Sequence, residues 1–164
     1  MKIELRERTE EKVAIYFEKV QDAEIKKVLP QKAQTLEEAL EDYRQTLKAD
    51  ATSYGRTIYV DSVYVGDIWC YCIDLKEEPN AMLSYCIFEK EYWKRGVASR
   101  AVQIFLAEII EKFSVETVGA FTYSSNEASI RVLEKNGFQK VEEFEEDGVL
   151  SAYFQRKCVT VSEK

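Results

Sequence analysis

The hydrophobic pattern of this chain changes period at Arg56, from about 3.6 residues to 2, and later changes back, and few architectures accommodate both halves. Thr57–Val65 and Asp67–Leu75 are β-branched and aromatic runs separated by Gly66, which reads as a hairpin; Ala81–Phe88 follows the Pro79-Asn80 turn as a third strand. These three segments predict an antiparallel meander. Helical spacing then resumes, with Ala98, Val102, Phe105, Leu106, Ile109 and Phe113 on one stripe of a helix from Val97 to Phe113. A strand over Thr117–Thr122 comes next. A short helix follows, announced by the capping-box pattern Ser124-Ser-Asn-Glu127 and closed at Asn136-Gly137. Strands near 138–146 and 149–156 flank Asp147-Gly148, a hairpin signal.

Upstream of the switch, residues 2–8 read as a strand, and Thr9 as the N-cap of a helix carrying Val13, Tyr16, Phe17 and Val20. Asp22–Leu29 reads as a short helix closed by Pro30. Thr35-Leu-Glu-Glu38 is a capping box opening a helix with Leu36, Ala39, Leu40, Tyr43 and Leu47 on one stripe. The expected fold class is α/β (α+β), with one mixed central sheet of about seven strands and about four helices. Residues 1–157 form the expected domain and 158–164 a loose tail.

Composition narrows the chemistry. The chain of 164 residues has no histidine, which excludes Ser-His-Asp and Cys-His nucleophile machinery and every His-containing zinc site, so no metal is expected. None of the six glycines has a G-x-G spacing, so the dinucleotide fingerprint and the Gly-Lys-Ser phosphate loop are missing. A net charge of −7 disfavours nucleic acid and suits a cationic partner such as an amine. Cys70 and Cys72 fall on one face of a strand-like run, and no C-x-x-C occurs, so the four cysteines read as small core residues in a reducing, cytoplasmic setting. The N-terminus lacks a leader-like apolar segment, and no apolar stretch is long enough to span a bilayer, so no membrane partner is expected.

Two segments carry candidate chemistry. In Phe88–Ala101 a strand runs through basic residues and Gly96 into the long helix, whose first N–H groups and partial positive charge can hold an anion, with Lys94 and Arg95 just outside. On local physics alone, an ordinary polar loop opening an amphipathic helix explains it equally. In Asn126–Phe138, Asn126 and Ser129 lie three apart at the start of a helix and point to the same side; capping explains one of them, while Ser129 lies too far in to cap a helix that starts near Ser125.

These segments, in this order, resemble the GNAT superfamily of acetyl-CoA-dependent N-acetyltransferases, and within it the branch of ribosomal-protein N-terminal acetyltransferases. The family's R/Q-x-x-G-x-G/A loop corresponds to Trp93-Lys94-Arg95-Gly96-Val97-Ala98, departing at Trp93, although Tyr-Trp-x-Lys/Arg-Gly-x-Ala-Ser/Thr is typical of the branch. Asn-x-x-Ser-x-x-Val-Leu-x-Lys-x-Gly-Phe is matched from Asn126 to Phe138. The likeness is dense from Met82 to Phe138; earlier it rests on element order and the Leu29–Ala39 pattern.

The resemblance implies a sheet splayed in the middle, between the strand of Tyr85-Cys86-Ile87 and that of Val118–Thr122, with pantetheine pairing near Ile87 and Phe88. It implies a pyrophosphate held by N–H groups from Lys94 to Ser99, and it places Trp93, Lys94, Arg95, Gly96, Val97, Ala98, Ser99, Asn126, Ser129 and Lys135 at the donor. The amine would attack the thioester directly, a backbone N–H on Tyr85–Phe88 would meet the oxyanion, Asn126 would orient pantetheine or a water, and Ser129 would face the departing sulfur. Leu133 stands where many relatives carry a Tyr acid, which leaves Tyr85 and Tyr123 as other candidates. The acceptor would be a peptide N-terminus or a small amine, and the protein a monomer or homodimer. An α-amine of pKa ~7.8 is ~14% neutral at pH 7, which suits a site without histidine. A polyamine or antibiotic-type amine, or an inactive CoA-binding sensor or scaffold, are the competing readings. The acidic run Glu142, Glu143, Glu145, Glu146 and Asp147 reads as protection of a strand edge or as an amine funnel.

Overall fold

A computed structural model describes residues 1–29 and 31–158. The order of elements is β1 (Ile3–Glu7), α1 (Glu10–Lys19), α2 (Ala23–Val28), α3 (Leu36–Gln45), β2 (Tyr54–Val60), β3 (Val63–Asp74), β4 (Asn80–Ile87), a 3-10 turn (Lys90–Tyr92), α4 (Val97–Phe113), β5 (Thr117–Tyr123), α5 (Glu127–Lys135), β6 (Gln139–Glu146) and β7 (Val149–Lys157). The short α2 brings the helices to five. Pro30 and residues 159–164, most of the expected tail, lie outside the described residues; Cys158 is buried, and its N–H donates to the Glu116 carbonyl at 2.8 Å.

Local chemistry sets the helix starts. Thr9 caps α1 by accepting from the Lys12 N–H, and Thr35 caps α3, its hydroxyl accepting the Glu38 N–H at 3.1 Å and donating to the Glu38 carboxylate at 3.2 Å. Asp22 caps α2, with its carboxylate on the Glu24 and Ile25 N–H groups.

The seven strands form one sheet in the order β1-β2-β3-β4-β5-β7-β6, antiparallel except between β4 and β5. These two pair only at Asn80–Thr117, Ala81–Val118 and Met82–Gly119, and then separate, which is the expected splay. Along one face, α4 lays Phe105, Leu106 and Ile109 against Ile58, Ile68, Leu83, Val118 and Phe154. Burying each such side chain contributes about 1.5–3 kcal/mol. Glu108 of α4 accepts from Arg56 Nε at 2.9 Å and from the Tyr54 hydroxyl, pinning the helix to β2.

Three local expectations are corrected. The β2–β3 hairpin turns at Asp61-Ser62, both in the left-handed region at φ 48° and 68°, and Gly66 lies inside β3. A Cβ at Gly66 would come within 2.2 Å of the Cys86 carbonyl oxygen, so glycine answers a close strand approach there, not a turn. Cys70 and Cys72 do not share a face: an irregularity between Tyr71 and Asp74, with Cys72 at φ 51°, leaves Cys70 buried and Cys72 exposed. The cap of α5 is Asn126 rather than Ser124, whose hydroxyl instead donates to Glu143. Asp147-Gly148 is the β6–β7 turn, as expected, at φ 52° and 79°.

Candidate active site

The splay exposes a stretch of β4 edge. The Phe88 N–H donates to Val65 of β3 at 2.9 Å, so by strand alternation Tyr85 and Ile87 turn their main-chain groups towards the gap. This corrects one expected pair: Ile87 belongs to the open edge, while Phe88 has its N–H in the sheet and its side chain buried with Val20, Ile25 and Cys86 on the opposite face. The Ile87 carbonyl is also occupied, accepting the Trp93 indole N–H at 2.7 Å.

Beyond Trp93 the chain forms a cradle of free main-chain N–H groups. Lys94 and Gly96 adopt φ 60° and 80°, a reversal that only small or tolerant residues take cheaply, and space is open around Gly96. Among the described residues, none of the N–H groups of Lys94, Arg95, Gly96, Val97, Ala98 and Ser99 donates to a protein acceptor; the first such bond in this stretch runs from the Arg100 N–H to the Gly96 carbonyl. A row of unpaired donors at the N-terminus of a 17-residue helix fits a pyrophosphate. Val97 turns its side chain into the core and offers only its backbone, while Lys94 and Arg95 are exposed, with Arg95 stacked on Tyr92 at 5.2 Å. Asn136 at the end of α5 donates to the Ser99 carbonyl at 3.2 Å, tying the end of α5 to the start of α4, and Lys135 beside it is exposed.

On the α4/α5 side of the gap, the Tyr85 hydroxyl lies 3.1 Å from Ser129 Oγ, and Asn126 Oδ1 accepts the Ser129 N–H at 3.1 Å. Three candidates from two distant segments therefore meet. Burial pushes the Tyr85 phenol up to about 12, partly offset by its bond to Ser129, so it stays protonated at neutral pH. Leu133 is buried in the core.

The opposite face holds a cleft of about 1210 Å³ between α1, α3 and the β5–β7–β6 end of the sheet. Tyr16, Trp69, Tyr71, Phe121, Tyr123 and Phe144 supply aromatic lining, and Asp42, Asp50, Glu146 and Asp147 supply carboxylates. Of the acidic run, only Glu146 and Asp147 line this cleft; Glu143 is bonded to Ser124 and paired with Lys140 at 3.3 Å along the edge strand. Beneath the cleft, Asp67, 1% exposed, is paired with Arg8 at 3.0 Å and accepts the Tyr64 hydroxyl at 2.6 Å. Desolvation pushes its carboxyl up to about 6, against the opposing pull of Arg8. Cys86 lies beside Tyr16, and burial raises its thiol to about 12, which leaves no thiolate nucleophile there. As functional candidates the cleft residues escaped the sequence reading, except Tyr123, Glu146 and Asp147; Tyr16, Phe17 and Tyr43 read there only as helix stripes. The one local signal was Asp67, a carboxylate within an otherwise apolar run.

A mixed sheet splayed in the middle, with free N–H groups at the start of α4 and hydroxyl groups beside the gap, is the architecture of an acetyl-CoA-dependent N-acetyltransferase. The chain belongs to the acetyltransferase (GNAT) domain family, whose model matches residues 2–139. Its fold is similar to that of aminoglycoside acetyltransferase AAC(6')-Ib in complex with coenzyme A (TM-score 0.79, 16% identity, 95% of each chain covered). It is also similar to RimL, a ribosomal-protein alpha-N-acetyltransferase, in complex with coenzyme A (TM-score 0.80, 17% identity, 94% of this chain and 93% of that one). A ribosomal-protein alanine acetyltransferase from Vibrio fischeri matches with TM-score 0.81 at 17% identity over 94% of this chain and 92% of that one. No curated protein matches the chain by sequence. No helix among the described residues is long and apolar enough to cross a membrane.

Proposed function

We propose that the acetyl donor lies along the gap between β4 and β5 with its pyrophosphate on the Lys94–Ser99 cradle, and that a peptide N-terminus or other low-pKa amine reaches it from the aromatic cleft. The observation that carries this reading is the meeting of Tyr85, Ser129 and Asn126 beside the open β4 edge. Acetyl-CoA supplies a thioester whose thiol leaves readily, with a pKa of ~8.5. Tyr85, held protonated, donates to Ser129 Oγ, which frees the Ser129 hydroxyl proton for the departing sulfur. The free N–H groups of Tyr85 and Ile87 are preorganised donors for the carbonyl oxygen. The Asn126 carbonyl fixes the first turn of α5 and leaves its amide N–H₂ to orient the donor or a water.

The cleft is roomy for a peptide end, and its carboxylates favour an acceptor carrying positive charge. A small polycationic amine is the second reading, supported by the same four carboxylates. Four free cysteines support a reducing, cytoplasmic setting. Ser129→Ala is expected to lower kcat about 10- to 100-fold with little change in CoA affinity. Turnover of that variant at the wild-type rate, measured with acetyl-CoA against a panel of peptide and polyamine acceptors, would remove Ser129 from the reaction; a strict polyamine preference would select the second reading.

A further inference from the structure

We propose that Trp93 is a positioning residue that sets the register between the two halves of the donor site. Its indole N–H donates to the Ile87 carbonyl at 2.7 Å, and its main-chain N–H closes the preceding turn on the Lys90 carbonyl at 3.0 Å. The ring packs against both apolar clusters, one on each face of the sheet. Trp93 is therefore tied down by main chain, side chain and packing immediately before Lys94 and Gly96 reverse the chain with positive φ. It is the last fixed point before the cradle, and the group it holds is the end of the open β4 edge.

Two consequences follow. The Ile87 carbonyl is withdrawn from any ligand that pairs with the strand edge, which leaves Ile87 N–H and the main-chain groups of Tyr85. The second consequence is that the distance between that edge and the N–H cradle is fixed by a direct bond rather than by a mobile loop. A ligand that engages both ends gains from this, because the second contact forms at high effective concentration only when the two sites hold the right separation. A ligand that engages the cradle alone gains nothing. The indole thus acts through the geometry of two binding segments and need not touch the phosphates.

This inference rests on the reading that a CoA-type donor spans the gap and the cradle, and the test separates the two. Calorimetric dissociation constants are measured for CoA, which spans both ends, and for ADP, which presents the diphosphate without the pantetheine arm, with wild type and Trp93→Phe. The phenyl ring keeps most of the packing and removes the donor. Loss of one hydrogen bond predicts CoA binding weakened about 3- to 10-fold, with ADP unchanged. Equal weakening of both ligands would mean that Trp93 merely shapes the cradle and would overturn the proposal, as would an unchanged CoA affinity. Wild-type protein that binds neither ligand would instead overturn the donor-site reading. Should Trp93→Phe fold poorly, hydrogen exchange at the wild-type indole N–H decides: protection with and without CoA supports the fixed bond to Ile87, and exchange at the rate of a free indole overturns it.

Discussion

On one face of the sheet α4 and α5 close over Phe105, Leu106, Ile109 and Leu133 to give a dry core; on the other, α1 and α2 pack on β3 and β4, and Phe121 on β5 is left 55% exposed beside Phe144 and Tyr153. The donor site proposed above lies on the rim of the first face, built from two compact segments, Trp93–Ser99 and Asn126–Asn136. The second builds its cleft from side chains scattered over α1, α3, β3, β5, β6 and β7, above the buried Arg8–Asp67 pair. The difference teaches where specificity can vary in such a fold. A cofactor bound as proposed would be held by backbone N–H groups and local turns, whereas an acceptor in the cleft would be met by side chains that can change one at a time without disturbing the other face.

The Arg8–Asp67 pair offers the hardest test of this division. Arg8→Met would strand a buried carboxylate and is expected to cost about 3–5 kcal/mol of stability near pH 8. The sign with pH is fixed: the folded-state carboxyl is already raised to about 6, and removing Arg8 raises it further, so the penalty shrinks as pH falls towards 5 and Asp67 takes up a proton. Melting curves of wild type and variant at pH 5 and pH 8 check this. A penalty that does not depend on pH would show that the pair holds the cleft floor by packing alone. CoA affinity of the variant, measured well below its melting temperature, is expected to stay within about twofold, since Arg8 lines the cleft face and makes no contact with the cradle.

A smaller effect sharpens the cleft itself. Glu146→Gln with Asp147→Asn should raise the KM of a cationic acceptor a few-fold, because each removes a carboxylate lining the cleft, while Glu143→Gln should leave it unchanged, because Glu143 is engaged by Ser124 and Lys140 on the edge strand. Steady-state kinetics with the acceptor varied at saturating acetyl-CoA read both. An increase from Glu143→Gln equal to that of the Glu146 and Asp147 pair would make the whole run a diffuse funnel.

The same contrast explains what the sequence made legible. Helix starts at Thr9 and Thr35, the stripe of α4, and the Asn126–Ser129 spacing are short-range patterns, and each survives in the structure. Gly66 misled because the turn fell to Asp61-Ser62, two non-glycine residues in the left-handed region, while the glycine was needed for strand contact. Cys72 changed face because a local irregularity, invisible in a period-2 count, intervened. Phe88 was paired with Ile87 as a donor contact because proximity in sequence does not give strand parity; the bond from Phe88 to Val65 does. The cleft had no such signal, since Tyr16 on α1, Trp69 on β3 and Phe144 on β6 come to one cleft only through the packing of α1 on the sheet and the order of its strands.

In the arrangement proposed above, the donor occupies the gap beside Ser129 and Tyr85 while the acceptor uses the opposite cleft. A crystal structure with CoA tests it most directly. Pyrophosphate oxygens are expected on the N–H groups of Lys94–Ser99, the pantetheine arm against Tyr85 and Ile87, and the sulfur within about 4 Å of Ser129 Oγ. CoA seated in the aromatic cleft, or a sulfur remote from Ser129 with the cradle filled, would contradict it.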